Sequence, residues 1–98
     1  MLKNSLDLEK LECMATKLRT IGHPLRIAIV DMLEKNKEMT VTDIQKRLNI
    51  GQAATSNHLR VLKNQRIVKS VRDGKKKIYS LKFLQLSEII NCIEKCTD

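Results

Sequence analysis

A chain of 98 residues with 42% hydrophobic content has room for one domain with one modest core. Its 19 Lys and Arg outnumber 11 Asp and Glu, and the formal net charge of +8 favours a polyanionic partner. No apolar run approaches the roughly 18 residues that cross a bilayer, and the first seven residues lack the apolar segment of a signal peptide. We therefore expect a cytoplasmic protein without a membrane partner.

The few aromatic residues and the three cysteines limit the kind of nucleic acid that the chain can bind and the state of its thiols. Tyr79 and Phe83 are the only aromatic residues, so the chain cannot build the stacking platform on which single-stranded nucleic acids bind. This favours a duplex. Three cysteines are an odd number without the spacing of a disulfide framework, which predicts reduced thiols.

Two helices are predicted in the first third of the chain. The first starts at Asn4 or Ser5 and ends at Gly22, and the second starts at Pro24 and stops at Asn36. Apolar residues recur at helical spacing along the first helix: Leu11, Met14, Ala15, Leu18 and Ile21. The corresponding buried face of the second helix carries Leu25, Ala28, Ile29 and Met32.

A helix-turn-helix follows. Thr40 and Asp43 have the spacing of a capping box, the short third helix ends at Asn49, and Gly51 starts the fourth. On the fourth helix the residues expected to face the core are Ala54, His58, Leu59, Val61 and Leu62. The opposite face, expected to read base edges in the major groove, carries Gln52, Ala53, Ser56, Asn57 and Arg60. The alternative is an ordinary polar helix surface.

A basic hairpin and a last helix complete the predicted elements. Strands are predicted at 67–72 and 76–81, joined by Asp73-Gly74, and the last helix runs from about Phe83 to Cys96. The segment 44–87 contains eleven Lys and Arg and one acid. We expect these residues to contact DNA phosphates: Thr40, Lys63, Arg72, Lys75, Lys76 and Lys77. The alternative is a solvated charge cluster that protects an edge strand from aggregation.

Three sequence blocks carry a family resemblance: GHPLR at 22–26, QAATSNHLRVL at 52–62, and DG at 73–74 with IYSL at 78–81. In this order they resemble the ArsR/SmtB family of winged-helix repressors. The resemblance implies a mainly α (α+β) winged helix-turn-helix, with five helices and a two-stranded β-hairpin wing after the fourth. The length predicts a single domain over residues 1–98, and the resemblance implies a homodimer whose interface is formed by the first and last helices. Repression of transcription through an inverted-repeat operator in double-stranded DNA would follow.

Departures from the family pattern concern the effector. Thr40-Val41-Thr42 stands where soft-metal sensors of the family carry Cys-Val-Cys, and the last helix lacks the His ligands of the zinc sensors. We therefore expect no metal and no cofactor at those positions. Cys92 and Cys96 share one helix face, and Cys13 of a partner could join them in binding an arsenical or metal ion, or in a redox switch. The alternative is that all three cysteines are small apolar fillers.

The sequence also bears on functions other than DNA binding. There is no nucleophile-base spacing, no Gly-rich phosphate loop and no zinc-protease motif, so an enzyme is not expected. His23 is expected to cap the second helix or to orient the turn before it, and His58 is expected to face inward. Arg26 suits either the DNA backbone or the packing of the second helix. Arg66 replaces the Gly usual in the family after the fourth helix, which leaves the shape of that turn open. Two alternatives remain: a winged helix that binds protein, and a DNA-binding regulator without an effector.

Overall fold

The computed structural model describes residues 8–82, and every structural statement below refers to that part of the chain. It contains four helices: α1 Leu8–Ile21, α2 Pro24–Asn36, α3 Val41–Leu48 and α4 Gln52–Asn64. These agree with the first four predicted helices. The predicted start of the first helix and the whole predicted last helix lie outside the described residues.

The sheet has three strands, whereas the sequence predicted a two-stranded hairpin. β1 Met39–Thr40, β2 Val68–Asp73 and β3 Lys76–Leu81 are arranged in the antiparallel order β1-β3-β2. Met39 pairs with Tyr79 and Thr40 with Ile78. The two-stranded expectation was wrong because a two-residue strand is too short to have a recognisable alternation of apolar and polar residues.

Most of the predicted helix caps are present, including Gly51 at the start of α4. His23 Nδ1 accepts a hydrogen bond from the backbone N–H of Leu25 at 3.1 Å and so caps α2. Thr40 Oγ1 accepts from the N–H of Asp43 at 3.1 Å, and the Asp43 carboxylate closes the capping box of α3. Asn49 ends α3 in the left-handed conformation, with φ 58° and ψ 45°.

The end of α2 differs from the prediction. Asn36 is the last helical residue, and the positive φ of 68° belongs to Lys37. Asn36 Nδ2 donates to the carbonyl of Met32 at 2.8 Å, so its side chain supports the last turn. Asn tolerates a left-handed backbone better than Lys does, which is why the sequence favoured Asn36 as the stop.

The core lies where α2, α3 and α4 pack on the sheet. Residues with less than 2% exposure include Ile29, Leu33, Ile44, Leu59, Leu62, Ile67 and Val68. One expectation on α4 was wrong, because Ala54 is exposed and Thr55 is fully buried. The Thr55 hydroxyl donates to the carbonyl of Gly51 at 3.0 Å, and this bond allows a polar side chain to be buried. Within residues 8–82 no helix has the length and apolarity to span a membrane.

Candidate nucleic-acid interface

The outer face of α4 carries the residues predicted to read bases. Gln52, Ala53, Ser56, Asn57 and Arg60 are all exposed. On the opposite face His58, Leu59 and Leu62 are buried, so burial of one face fixes which side chains point outward. Exposure is a condition for base contact, and contact with DNA itself stays a prediction for these five residues.

Two residues of this face are joined. Arg60 Nη2 donates a hydrogen bond to Asn57 Oδ1, one helical turn away. The bond engages the acceptor oxygen of the Asn57 amide. Bidentate pairing of Asn57 with adenine requires that oxygen as well as the amide nitrogen. The pair therefore holds the Arg60 guanidinium against α4 and competes with the adenine contact that the sequence suggested for Asn57.

The hairpin of β2 and β3 forms the wing. Gly74 has a φ of +66°, which a residue without Cβ adopts freely, and with Lys75 it makes the tight turn. Arg72 pairs with Lys77 and Asp73 with Lys76, so the cations gather at the hairpin tip. All four predicted wing cations are exposed there: Arg72, Lys75, Lys76 and Lys77.

An open groove of about 1120 Å³ separates α4 from the wing. Nine of the predicted DNA-contacting residues line it: Thr40, Gln52, Ser56, Arg60, Lys63, Arg72, Lys75, Lys76 and Lys77. Ala53 and Asn57 are not among the lining residues. With Arg66, the lining has seven Lys and Arg and one acid, Asp43, so the groove attracts a polyanion. Sequence reasoning did not place Arg66 in this lining, although its position directly after α4 was a signal.

Lys63 connects the two walls of this groove. Its Nζ donates to Ser70 Oγ of β2 at 2.8 Å. A cation predicted to contact phosphate is therefore engaged within the protein, where it joins the last turn of α4 to the wing. Phosphate contact by Lys63 stays a prediction, and an ammonium group has further donors to offer.

Arg66 determines the shape of the turn after α4, which the sequence left open. It has a φ of 60°, its N–H donates to the Lys63 carbonyl, and the N–H of Ile67 donates to the Leu62 carbonyl, both at 2.9 Å. This is the Schellman arrangement that usually uses Gly. The turn shape is therefore that of a glycine-ended helix, although an arginine occupies the position.

Arg26 points into the protein. Its Nε donates to His58 Nδ1 and its Nη1 donates to the Thr20 carbonyl, both at 3.2 Å. The rings of His23 and His58 lie with centroids 4.7 Å apart. Burial lowers the pKa of His58, and the neighbouring His23 and Arg26 lower it further. Of the two roles that the sequence left open, these contacts fit the one in which Arg26 holds helices together.

The sequence predicted no metal ligands at Thr40-Val41-Thr42. In the structure these three residues form the cap and the first turn of α3. Within residues 8–82 no three His, Cys, Asp or Glu side chains are grouped to hold a metal ion. Cys13 is a free, exposed thiol on α1. Cys92 and Cys96 lie outside the described residues, so the thiol-sensor hypothesis stays a prediction.

Comparison with known proteins agrees with this geometry. Residues 23–70, which span α2 to β2, match the model of the bacterial regulatory protein, arsR family. The transcriptional repressor SdpR of Bacillus subtilis is 35% identical over 80% of this chain and 86% of its own length.

Solved structures give the same result for the fold. The crystal structure of the transcriptional repressor PagR of Bacillus anthracis superposes with a TM-score of 0.81 at 32% identity, covering 89% of this chain and 99% of that one. The transcriptional repressor BigR from Xylella fastidiosa gives 0.81 at 27% identity, covering 90% of this chain and 89% of that one. The family consists of DNA-binding transcriptional regulators rather than enzymes. The chain therefore belongs to the ArsR family of bacterial regulatory proteins, as its sequence blocks predicted.

Proposed function

We propose that this protein is a sequence-specific repressor of transcription that binds double-stranded DNA as a homodimer on an inverted-repeat operator in the cytoplasm. The observation that carries the proposal is the basic groove between the exposed polar face of α4 and the wing. Relatives of similar length are named transcriptional repressors, which supports repression over activation.

Each wall of the groove has a role in this proposal. The first two turns of α4 enter the major groove, where Gln52, Ala53 and Ser56 meet base edges. The wing follows the adjacent backbone, and Arg72 and Lys75 to Lys77 contact its phosphates. Thr40 at the start of α3 lines the same groove, where its hydroxyl can donate to a phosphate oxygen.

Dimerisation is supported by an unusual helix surface. Leu8, Met14 and Leu18 of α1 are 71%, 49% and 48% exposed, although an apolar stripe on an amphipathic helix normally packs against a partner. We propose that this stripe contacts a second copy, together with the last helix. Two copies related by a two-fold axis would present two α4 helices to successive major grooves, roughly 34 Å apart.

Thiol-dependent derepression is a second level of the proposal. The exposed Cys13 thiol lies on the same α1 helix that we assign to the dimer interface, so modification there would alter subunit contacts. Operator affinity of the wild type and of a Cys13/Cys92/Cys96 triple Ser variant, with and without arsenite, zinc or peroxide, tests it. Identical responses would leave a regulator without a thiol effector.

The DNA-binding proposal is tested by salt dependence. Binding to the upstream region of the protein's own gene is measured by fluorescence anisotropy. The salt concentration is varied between roughly 50 and 300 mM, a range wide enough to resolve counterion release. We expect a steep fall in affinity. Replacing Lys75, Lys76 and Lys77 with Gln should reduce the log-log slope by about 2.7, since each lost phosphate contact removes about 0.9.

The matched control removes the same charge elsewhere. Lys10, Lys37 and Lys46 are exposed and lie outside the groove lining, and their triple Gln variant should keep the slope near that of the wild type. Equal effects of the two triple variants would contradict wing contact. A flat salt plot without protection of any duplex would favour the alternative that this winged helix binds a protein.

A further inference from the structure

One arginine connects three helices behind the reading face. Arg26 belongs to α2, its Nε bond reaches His58 on the inner side of α4, and its Nη1 bond reaches the carbonyl of Thr20 in the last turn of α1. These two nitrogens point in different directions within one rigid guanidinium plane, so the position of one acceptor constrains the other.

We propose that Arg26 is a positioning residue for DNA recognition, which fixes α4 relative to α1 by holding His58 and the Thr20 carbonyl at once. This inference rests on the proposed function, because it assigns α4 to DNA and α1 to the dimer. The angle at which a subunit presents α4 then depends on a hydrogen-bonded link and not on apolar packing alone.

A second contact reinforces the same pair of helices. Lys17 of α1 donates through Nζ to the carbonyl of Gln65, the residue that follows α4. His58 lies near the middle of α4 and Gln65 lies beyond its end, so α1 is linked to α4 at two separated points, once through Arg26 of α2 and once directly through Lys17. Two points fix an orientation, whereas one leaves a pivot.

The link requires an unprotonated His58. Nδ1 must offer a lone pair to the Arg26 N–H, and protonation would replace that lone pair with a second imidazole N–H that faces the guanidinium. Among residues 8–82, the titratable or charged groups that act on His58 are His23, which caps α2, and Arg26 of α2. From α1, the Thr20 carbonyl is linked to His58 through the second bond of Arg26.

The direction of the pH effect follows. Because the pKa of His58 is lowered from its usual 6.5, the link is intact above that pH and is lost as the pH falls through the lowered pKa. Protonation of a DNA-binding protein ordinarily adds positive charge and strengthens binding to phosphates. A fall in operator affinity on acidification would therefore identify the link.

The first experiment compares substitutions of Arg26 on the full-length protein with its operator duplex. Arg26→Lys keeps the charge but has a single ammonium, which cannot satisfy both acceptors in the geometry of the guanidinium. We expect about ten-fold weaker binding at pH 7.5 with an unchanged salt slope. The control is Arg19→Lys, an exposed arginine of α1 whose hydrogen bond among residues 8–82 is to Thr16 of its own helix, and it should bind like the wild type.

The second experiment uses His58→Asn, whose side-chain oxygen takes the place of Nδ1 as an acceptor and does not titrate. We expect wild-type affinity at pH 7.5 and no loss of affinity as the pH falls, whereas the wild type weakens once the pH passes through the lowered pKa of His58. Wild-type affinity of Arg26→Lys would overturn the proposal, because charge alone would then suffice. An identical pH profile of His58→Asn and the wild type would overturn it as well.

Failure of the proposed function has a different signature. If the wild type binds no duplex, DNA recognition is wrong, and hydrogen exchange of the α4 amides then tests the link without DNA. Arg26→Lys should speed exchange across residues 55–62 relative to Arg19→Lys. Equal exchange rates would reject the link on structural grounds.

Discussion

Arg66 has a backbone conformation that most side chains avoid. A left-handed φ of 60° places Cβ close to the following carbonyl, a cost of roughly 1 kcal/mol that Gly does not carry. The same side chain adds a cation to the groove between α4 and the wing. Arg66 therefore combines a gain in charge for binding with a loss in stability.

Arg66→Gly should separate these two effects. We expect the free energy of unfolding to rise by about 1 kcal/mol relative to Arg66→Ala, because both variants lose the charge but only Gly loses the Cβ strain. Chemical denaturation measures the difference. Both variants should bind the operator more weakly than the wild type. Equal stability of the Gly and Ala variants would show that the turn imposes no strain on a side chain.

Residue-level prediction from sequence succeeded where burial is periodic. The exposed positions of Gln52, Ser56 and Arg60 followed from the apolar residues on the opposite side of α4. It failed at Ala54 and Thr55, adjacent positions at the border of the two faces. There the hydroxyl bond to Gly51 decides which side chain is buried, and hydropathy does not contain that information.

At the level of elements, Thr40 belongs both to β1 and to the cap of α3. Its backbone pairs with Ile78 of the wing, while its hydroxyl accepts the N–H of Asp43. The wing and the first helix of the helix-turn-helix are thus joined at one residue. Loss of the cap should therefore destabilise both α3 and the wing.

Thr40→Ala tests this connection. We expect a loss of about 1 kcal/mol in the free energy of unfolding, the usual value for an N-cap hydroxyl, and Thr40→Ser should retain most of it because it keeps the hydroxyl. Thermal unfolding by circular dichroism measures both variants. A Ser variant as unstable as the Ala variant would indicate that the γ-methyl, rather than the cap, stabilises this junction.

Long elements with strong start and stop signals were predictable. Pro24, the capping box and Asp73-Gly74 located α2, α3 and the hairpin, since each restricts the backbone locally. β1 could not be predicted, because its pairing with β3 joins residues about forty positions apart and depends on the tertiary fold. The sequence left the role of Arg26 open between two alternatives for the same reason, because its acceptors lie on two other helices.

The whole molecule combines an apolar surface on α1 with a basic groove. In our proposal the apolar surface of α1 brings two copies together, so that the dimer presents two basic grooves to one operator. Binding through two linked groove sites exceeds the affinity of one site by orders of magnitude. Assembly and DNA affinity should therefore change together.

Leu18→Glu should uncouple the subunits, because a charge placed in a desolvated interface is strongly unfavourable. We expect a monomer in sedimentation at micromolar concentration and an operator affinity at least about 100-fold lower. The control, Lys10→Glu, changes more charge at an exposed position of the same helix and should remain dimeric. A dimeric Leu18→Glu protein would exclude this stripe from the interface.

The position of Tyr79 makes its fluorescence a signal from the basic groove. It is the only tyrosine, the chain has no tryptophan to mask its emission, and it is 6% exposed in the lining of the basic groove. Burial raises the pKa of its phenol, so the emitting protonated form persists in mildly alkaline buffer. Unlabelled protein thus contains an intrinsic fluorophore at the place where a duplex would dock, and quenching of its emission would follow occupancy without any attached dye.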